Sequence, residues 1–127
     1  MRPFNRVTPF LATRNIPETI AFYLDILGFR VETLHPANEP SLAILDNGGA
    51  TIIFDSSLWP GPPNLTGQIH FDVAPGDVME IYEKLKSRTE ILWGPEVYGY
   101  GRREFSCRDP NGYVLVFSEL TSDHPTC

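Results

Sequence analysis

The sequence predicts an α+β protein built from two βαβββ modules. Strand-like segments dominate the chain, and two amphipathic segments interrupt them. The order strand, helix, three strands occurs twice, once on each side of a Pro/Gly-rich stretch at 56–66. The pairs Phe22-Tyr23 and Ile81-Tyr82 fall at matching places, 59 residues apart. The organisation read from this is a single domain over 1–127, with module one at 7–55, a linker at 56–66 and module two at 67–119. Two helices cover only one face of the strands. The expected architecture is therefore a mixed sheet whose other face is left free to curve around a ligand.

Each element has a local reason. Residues 7–13 are rich in apolar side chains and read as the first strand. Asn15-Ile16-Pro17-Glu18 reads as a helix start, with Asn15 as N-cap, Pro17 in the first turn and Glu18 reaching back as a capping box. Ile16, Ile20, Phe22, Tyr23 and Leu27 then recur at roughly helical spacing, and Gly28 stops the helix. Residues 29–35, 41–45 and 50–54 are strands, the last two joined through Asp46-Asn47-Gly48-Gly49. In the second module 68–73 is a strand. Asp77, with Glu80 three residues on, caps a helix whose buried stripe is Val78, Ile81, Tyr82 and Leu85. Residues 90–93, 102–107 and 113–117 are the closing strands, and Asp109-Pro110-Asn111-Gly112 matches a type I turn.

Composition narrows the function classes. A hydrophobic fraction of 42% and a charged fraction of 20% are ordinary for a globular domain. Sixteen acidic against ten basic residues give a formal net charge of −6. Nucleic-acid binding needs clustered Lys and Arg, so it is not expected. An acidic surface suits a cationic small molecule, and equally serves plain solubility. No apolar run approaches a membrane span, and Met1–Arg6 has no apolar core of a secretion signal. Cys107 and Cys127 show no disulfide or metal spacing, which fits a cytoplasmic protein.

At this point the motifs carry a resemblance. Thr8 to Ile16, then Phe22-Tyr23 and Leu27-Gly28-Phe29, resemble the opening of the glyoxalase/bleomycin-resistance/dioxygenase (vicinal oxygen chelate) superfamily. Tyr98 to Phe105, running through Arg108-Asp109-Pro110-Asn111-Gly112 to Phe117, resembles its close. Pro9-x-Leu11 with Arg14, and Arg103-Glu104-Phe105 ahead of Arg108-Asp109-Pro110, are most similar to bleomycin-resistance proteins. Enzymes of the superfamily hold a divalent metal through a His on the first strand of each module and a Glu on the last strand. The resemblance carries those positions to Thr8, Gln68 and Val116. A hydroxyl, an amide and an isopropyl group do not replace imidazole and carboxylate, so neither a metal nor another cofactor is expected. The resemblance instead implies a homodimeric binding protein that sequesters an antibiotic or another cationic, aromatic ligand.

The candidate ligand-binding residues are Phe10, Gln68, His70, Trp93, Tyr98, Tyr100 and Glu104. Strand alternation places Thr8, Phe10 and Ala12 on the inner face if Leu11 and Thr13 face the helices, and sets Gln68, His70 and Asp72 together. His70 is either a polar ligand contact or a histidine hydrogen-bonded for packing. Glu104 either faces the ligand or pairs with Arg14, Arg102 or Arg108, the pair being the favoured reading. Tyr98 and Tyr100, among Gly99 and Gly101, form either a loop that covers a ligand or a bulge leading into the next strand. No catalytic residue is assigned. The alternative is an enzyme of the same fold, either metal-dependent with an unusual ligand set or metal-free with His70 or Glu104 as acid/base.

Overall fold

A computed structural model describes residues 1–60 and 67–127 of the chain. Residues 61–66 of the predicted linker lie outside the described residues. The chain forms two compact units, Met1–Pro63 and Asn64–Cys127, and each is a βαβββ module with its own four-stranded mixed sheet. No helix among the described residues is long and apolar enough to cross a membrane.

The first unit consists of β1 (Phe10–Ala12), α1 (Ile16–Ala21), β2 (Arg30–His35), β3 (Leu42–Asn47) and β4 (Ala50–Asp55), in sheet order β1-β4-β3-β2. Strand β1 runs parallel to β4, with Leu11 opposite Phe54, and the other pairs are antiparallel. Asn15 caps α1 by accepting from the Glu18 amide at 2.8 Å. The expected return bond from Glu18 is replaced, because its carboxylate takes the Arg14 guanidinium at 2.6 Å. A π-helical turn, Phe22–Ile26, continues α1 and buries Phe22 and Tyr23. Gly28, at φ 71°, then turns the chain into β2. Tyr23 sits edge-on to Phe29 and tilted on Phe54, with centroids 5.3 and 5.2 Å away. These rings, with Ala43, Leu45 and Ile52, form the core on the helix side of the sheet.

The second unit consists of β5 (Ile69–Asp72), α2 (Asp77–Leu85), β6 (Ile91–Tyr98), β7 (Arg102–Arg108) and β8 (Val114–Leu120), in order β5-β8-β7-β6. Its core stacks Phe117 between Phe71 and Phe105, at 5.3 and 5.2 Å, with Tyr82 of α2 edge-on to Phe105. Gly112 donates to the Asp109 carbonyl at 3.0 Å, and the Asp109 carboxylate accepts from the Asn111 and Tyr113 amides at 2.9 Å each. That network closes the predicted turn between β7 and β8.

Two expectations for this unit are corrected. Asp77 is not the cap of α2 but its first residue. The cap position is Gly76, at φ 99°, and the amides of Gly76 and Val78 are taken by the buried carboxylate of Glu119 at 2.9 and 2.7 Å. A side chain 41 residues further along thus supplies the anion that the helix start favours. Strand β6 does not end at Trp93 but continues to Tyr98, because Gly94-Pro95 forms a bulge within it.

Candidate functional site

In the second unit Phe105, Cys107 and Phe117 belong to the core against α2, so alternate residues of the same strands face the other way. The register lines that second face up in rows. His70, Val116, Ser106 and Trp93 lie side by side across β5, β8, β7 and β6. The next row is Asp72, Ser118, Glu104 and Glu96, and beside it Leu120, Arg102 and Tyr98.

The bulge in β6 creates this arrangement. Between the pairs Trp93–Ser106 and Glu96–Glu104, β6 advances three residues while β7 advances two. The extra residue brings Trp93 and Glu96 onto the same face, which simple alternation forbids. Gly94 makes it fit. At φ +76° its ideal Cβ would lie 2.4 Å from the Glu104 carbonyl oxygen and 2.9 Å from Phe105 Cα. Only a residue without a Cβ allows β6 to approach β7 so closely.

Glu104 is the buried carboxylate of this face. It accepts from the Tyr100 hydroxyl at 2.6 Å and from Ser118 Oγ at 2.8 Å. The expected ion pair is therefore corrected. Arg102 instead reaches Asp72 at 2.8 Å and Ser118 at 3.2 Å, Arg14 pairs with Glu18, and Arg108 lies 3.6 Å from Glu90. Two neutral hydroxyls satisfy Glu104 where a guanidinium would have neutralised it. Further lone-pair positions of the carboxylate remain for other donors.

Three aromatic rings extend from that carboxylate. Tyr100 stacks on Tyr98 at 5.6 Å and 7° between planes, and Tyr98 meets Trp93 edge-on at 6.0 Å. Tyr98 ends β6 and Tyr100 sits in the turn to β7, whose Gly101 at φ 85° donates to the Tyr98 carbonyl. The pair is thus part of a tight hairpin and not an independent loop. The hydrogen bond to Glu104, then burial and the carboxylate's charge, push the Tyr100 hydroxyl up to about 12. Burial first, and then the neighbouring Cys127, Glu96 and Glu104, raise that of Tyr98. Thr126 braces the outer side of β6 by exchanging backbone and side-chain hydrogen bonds with Val97 and donating to Glu96.

The remaining candidates are placed as follows. His70 lies in β5 and shares a 3.2 Å contact with Gln68, both side chains being exposed. Phe10 belongs to β1 of the first unit, opposite Ile53, and is exposed. Ser106, Ser118 and Arg102 were not among the candidates. Ser106 in particular is fully buried, and its Oγ has no hydrogen-bond partner among the described residues. Leaving a buried hydroxyl unpaired costs ~1–3 kcal/mol. Cys107 is fully buried, which disfavours a nucleophilic role. Burial, with the Asp109 charge, pushes its thiol up to about 12, far from thiolate formation.

The positions to which the resemblance carries the metal ligands hold side chains that do not suit one. Val116 is fully buried and apolar, Gln68 offers an amide, and Thr8 of the first unit offers a hydroxyl. Among the described residues no three His, Cys, Asp or Glu side chains are grouped to hold an ion.

Comparison with known proteins places the fold. The sequence pattern described as "Glyoxalase/Bleomycin resistance protein/Dioxygenase superfamily" matches residues 4–117. No curated protein matches the chain. Among solved structures, TioX from Micromonospora sp. ML1 is similar with a TM-score of 0.73 at 20% identity, over 92% of this chain and 99% of that one. A glyoxalase/bleomycin resistance protein/dioxygenase family enzyme from Burkholderia phytofirmans PsJN gives 0.72 at 18%, over 89% and 96%. Lactoylglutathione lyase from Agrobacterium tumefaciens gives 0.68 at 18%, over 93% and 96%. Likeness at such identities is a likeness of fold.

Proposed function

Because the chain belongs to the glyoxalase/bleomycin resistance/dioxygenase superfamily, we propose that it is a metal-free small-molecule binding protein of the bleomycin-resistance type. On this reading it sequesters an antibiotic or another aromatic or cationic ligand, as a homodimer in the cytoplasm. The observation that carries the reading is the array Trp93–Tyr98–Tyr100 ending on the buried carboxylate of Glu104. Flat rings offer stacking worth ~0.5–1.5 kcal/mol per pair beyond their buried area, at low entropic cost. Glu104 adds a charge that attracts a cation and orients it.

The Tyr100 hydroxyl acts as a stand-in for the ligand. It donates to Glu104 from a residue that is 64% exposed, so an incoming ammonium or hydroxyl takes its place while the ring turns toward solvent. Ser118 stays on the carboxylate throughout and keeps it oriented. The donor chemistry at Gln68 and Val116 supports binding over metal-assisted turnover.

Native mass spectrometry with elemental analysis of the freshly purified protein tests the proposal. A dimer without stoichiometric metal, carrying or accepting an aromatic cation, is the expected result. One transition-metal ion per chain, lost when His70 or Glu104 is replaced, would overturn it in favour of an enzyme.

A further inference from the structure

The two Asn-Gly pairs of the chain, Asn47-Gly48 and Asn111-Gly112, carry the same reactive chemistry in opposite surroundings. Asparagine is a labile side chain, and a following glycine, lacking a Cβ, leaves its backbone nitrogen open to attack the asparagine amide carbon. Asn111 is 3% exposed. Its own amide donates to the Asp109 carboxylate at 2.9 Å, and the Gly112 nitrogen donates to the Asp109 carbonyl at 3.0 Å. The nucleophile of that pair is therefore tied into the turn between β7 and β8. Asn47 is exposed at the end of β3, where it pairs with Ala50 across the turn Gly48-Gly49. The Gly48 nitrogen has no hydrogen bond among the described residues. One hydrogen bond holds the Asn47 side chain, Nδ2 donating to the Leu27 carbonyl at 3.0 Å. Opening the end of one hairpin frees Asn47, whereas Asn111 requires a buried turn to come apart.

We propose that Asn47 is a spontaneous modification site, converted in the folded chain to aspartate and isoaspartate while Asn111 is spared. The Gly48 nitrogen gives its proton to hydroxide and attacks Asn47 Cγ. The Cγ–Nδ2 bond breaks and ammonia leaves, which closes a five-membered succinimide. Water then opens the ring. Addition at Cγ yields aspartate, and addition at the backbone carbonyl carbon yields isoaspartate, whose main chain runs through Cβ and Cγ. No electrons are exchanged with an outside group, and the net change is one water consumed and one ammonia released. Both products lose the donor that ties the hairpin to the Leu27 carbonyl, and both set a new carboxylate beside Asp46. Isoaspartate also adds a main-chain atom where Asn47 pairs with Ala50. The modification thus acts on the joint between the end of the first helix and the β3–β4 hairpin, and it is independent of the ligand reading of the second unit.

The test holds the full chain in mildly alkaline buffer made with heavy-oxygen water, once folded and once in urea. Digests taken over time are sequenced by fragmentation that separates aspartate from isoaspartate. The expected result in the folded chain is one heavy oxygen gained at position 47, at least roughly 10-fold faster than at position 111. In urea the two rates should converge to within about 3-fold, because the surroundings that distinguish the pairs are gone. The aged folded protein should also unfold at a lower denaturant midpoint than the fresh one. An unreacted Asn47, or one no faster than Asn111 in the folded chain, overturns the proposal. A rate ratio that persists unchanged in urea overturns it as well, since flanking sequence and not the fold then decides. If the converted protein keeps the midpoint of the fresh one, the action on the helix–hairpin joint is overturned.

Discussion

Replacing Glu119 tests how the helix of the second unit is held. The side chain is buried, 3% exposed, and receives the Gly76 and Val78 amides at 2.9 and 2.7 Å, with Arg103 3.5 Å away. Hydrogen bonds to a charged group contribute ~1.5–3 kcal/mol each, and a negative charge at a partly buried helix start up to ~2 kcal/mol. These contributions overlap, since the same amides produce both, so Glu119→Ala is expected to cost about 2–4 kcal/mol. Glu119→Gln keeps one acceptor and loses the charge, and its amide group opposes a second amide, so about half that loss is expected. Urea denaturation in a Trp59→Phe background lets Trp93 report on the second unit. The midpoint should fall in the order Glu, Gln, Ala at constant slope. A loss below ~0.5 kcal/mol for the alanine variant would refute the claim that this carboxylate caps the helix.

Gly94→Ala should be among the most damaging single-atom changes in the chain. Its Cβ meets backbone at 2.4 and 2.9 Å and its φ is +76°, so a loss of about 3 kcal/mol or more is expected from strain and clash together. Denaturant unfolding checks it, and a loss below ~1 kcal/mol would mean that the bulge relaxes freely. The Tyr100 bond to Glu104 gives a pH signature, because the folded value lies above the unfolded one. Its stabilisation is complete below pH ~10 and is lost as pH rises toward about 12. Tyrosinate absorbance should show a late phase that loses the amplitude of one tyrosine in Tyr100→Phe while Tyr98 stays in it, and an undiminished late amplitude in that variant would refute the assignment.

Much of this architecture is legible in the residues because its signals are local. Asn15 and Pro17 start a helix, Gly28 stops it, and Asp109 to Gly112 close a turn, each within four or five positions. The signals that failed are those whose partner is distant. Glu119 reads as an ordinary strand residue until β8 brings it to α2, and only then does Asp77 cease to look like the cap. Gly94-Pro95 reads as the end of a strand, since neither residue favours a ladder, whereas the close approach of β7 turns it into a bulge. The candidate site is legible in part for the same reason. The aromatic residues and Glu104 stand out by type, but the row that sets Trp93 beside Ser106 and Val116 exists only in the register of the folded sheet. No periodicity encodes that. For Glu104, an ion pair with Arg14, Arg102 or Arg108 was the favoured reading, yet those arginines bond elsewhere and two hydroxyls hold it.

The parallel pairing of each module's first strand with its last has a consequence for synthesis. Phe10 must wait for Ile53, and Ile69 for Leu115, so the opening strand of each sheet is made first and has no partner until the last strand is made. All strands of the first sheet have been made by Asp55, and every strand pairing in it is internal to that unit. At ~5–20 residues per second, the second half takes the ribosome several seconds more. The nascent first module therefore has its full set of strands while the other is still being translated. Its most exposed interval is the wait of β1 for β4, not the wait for the whole chain.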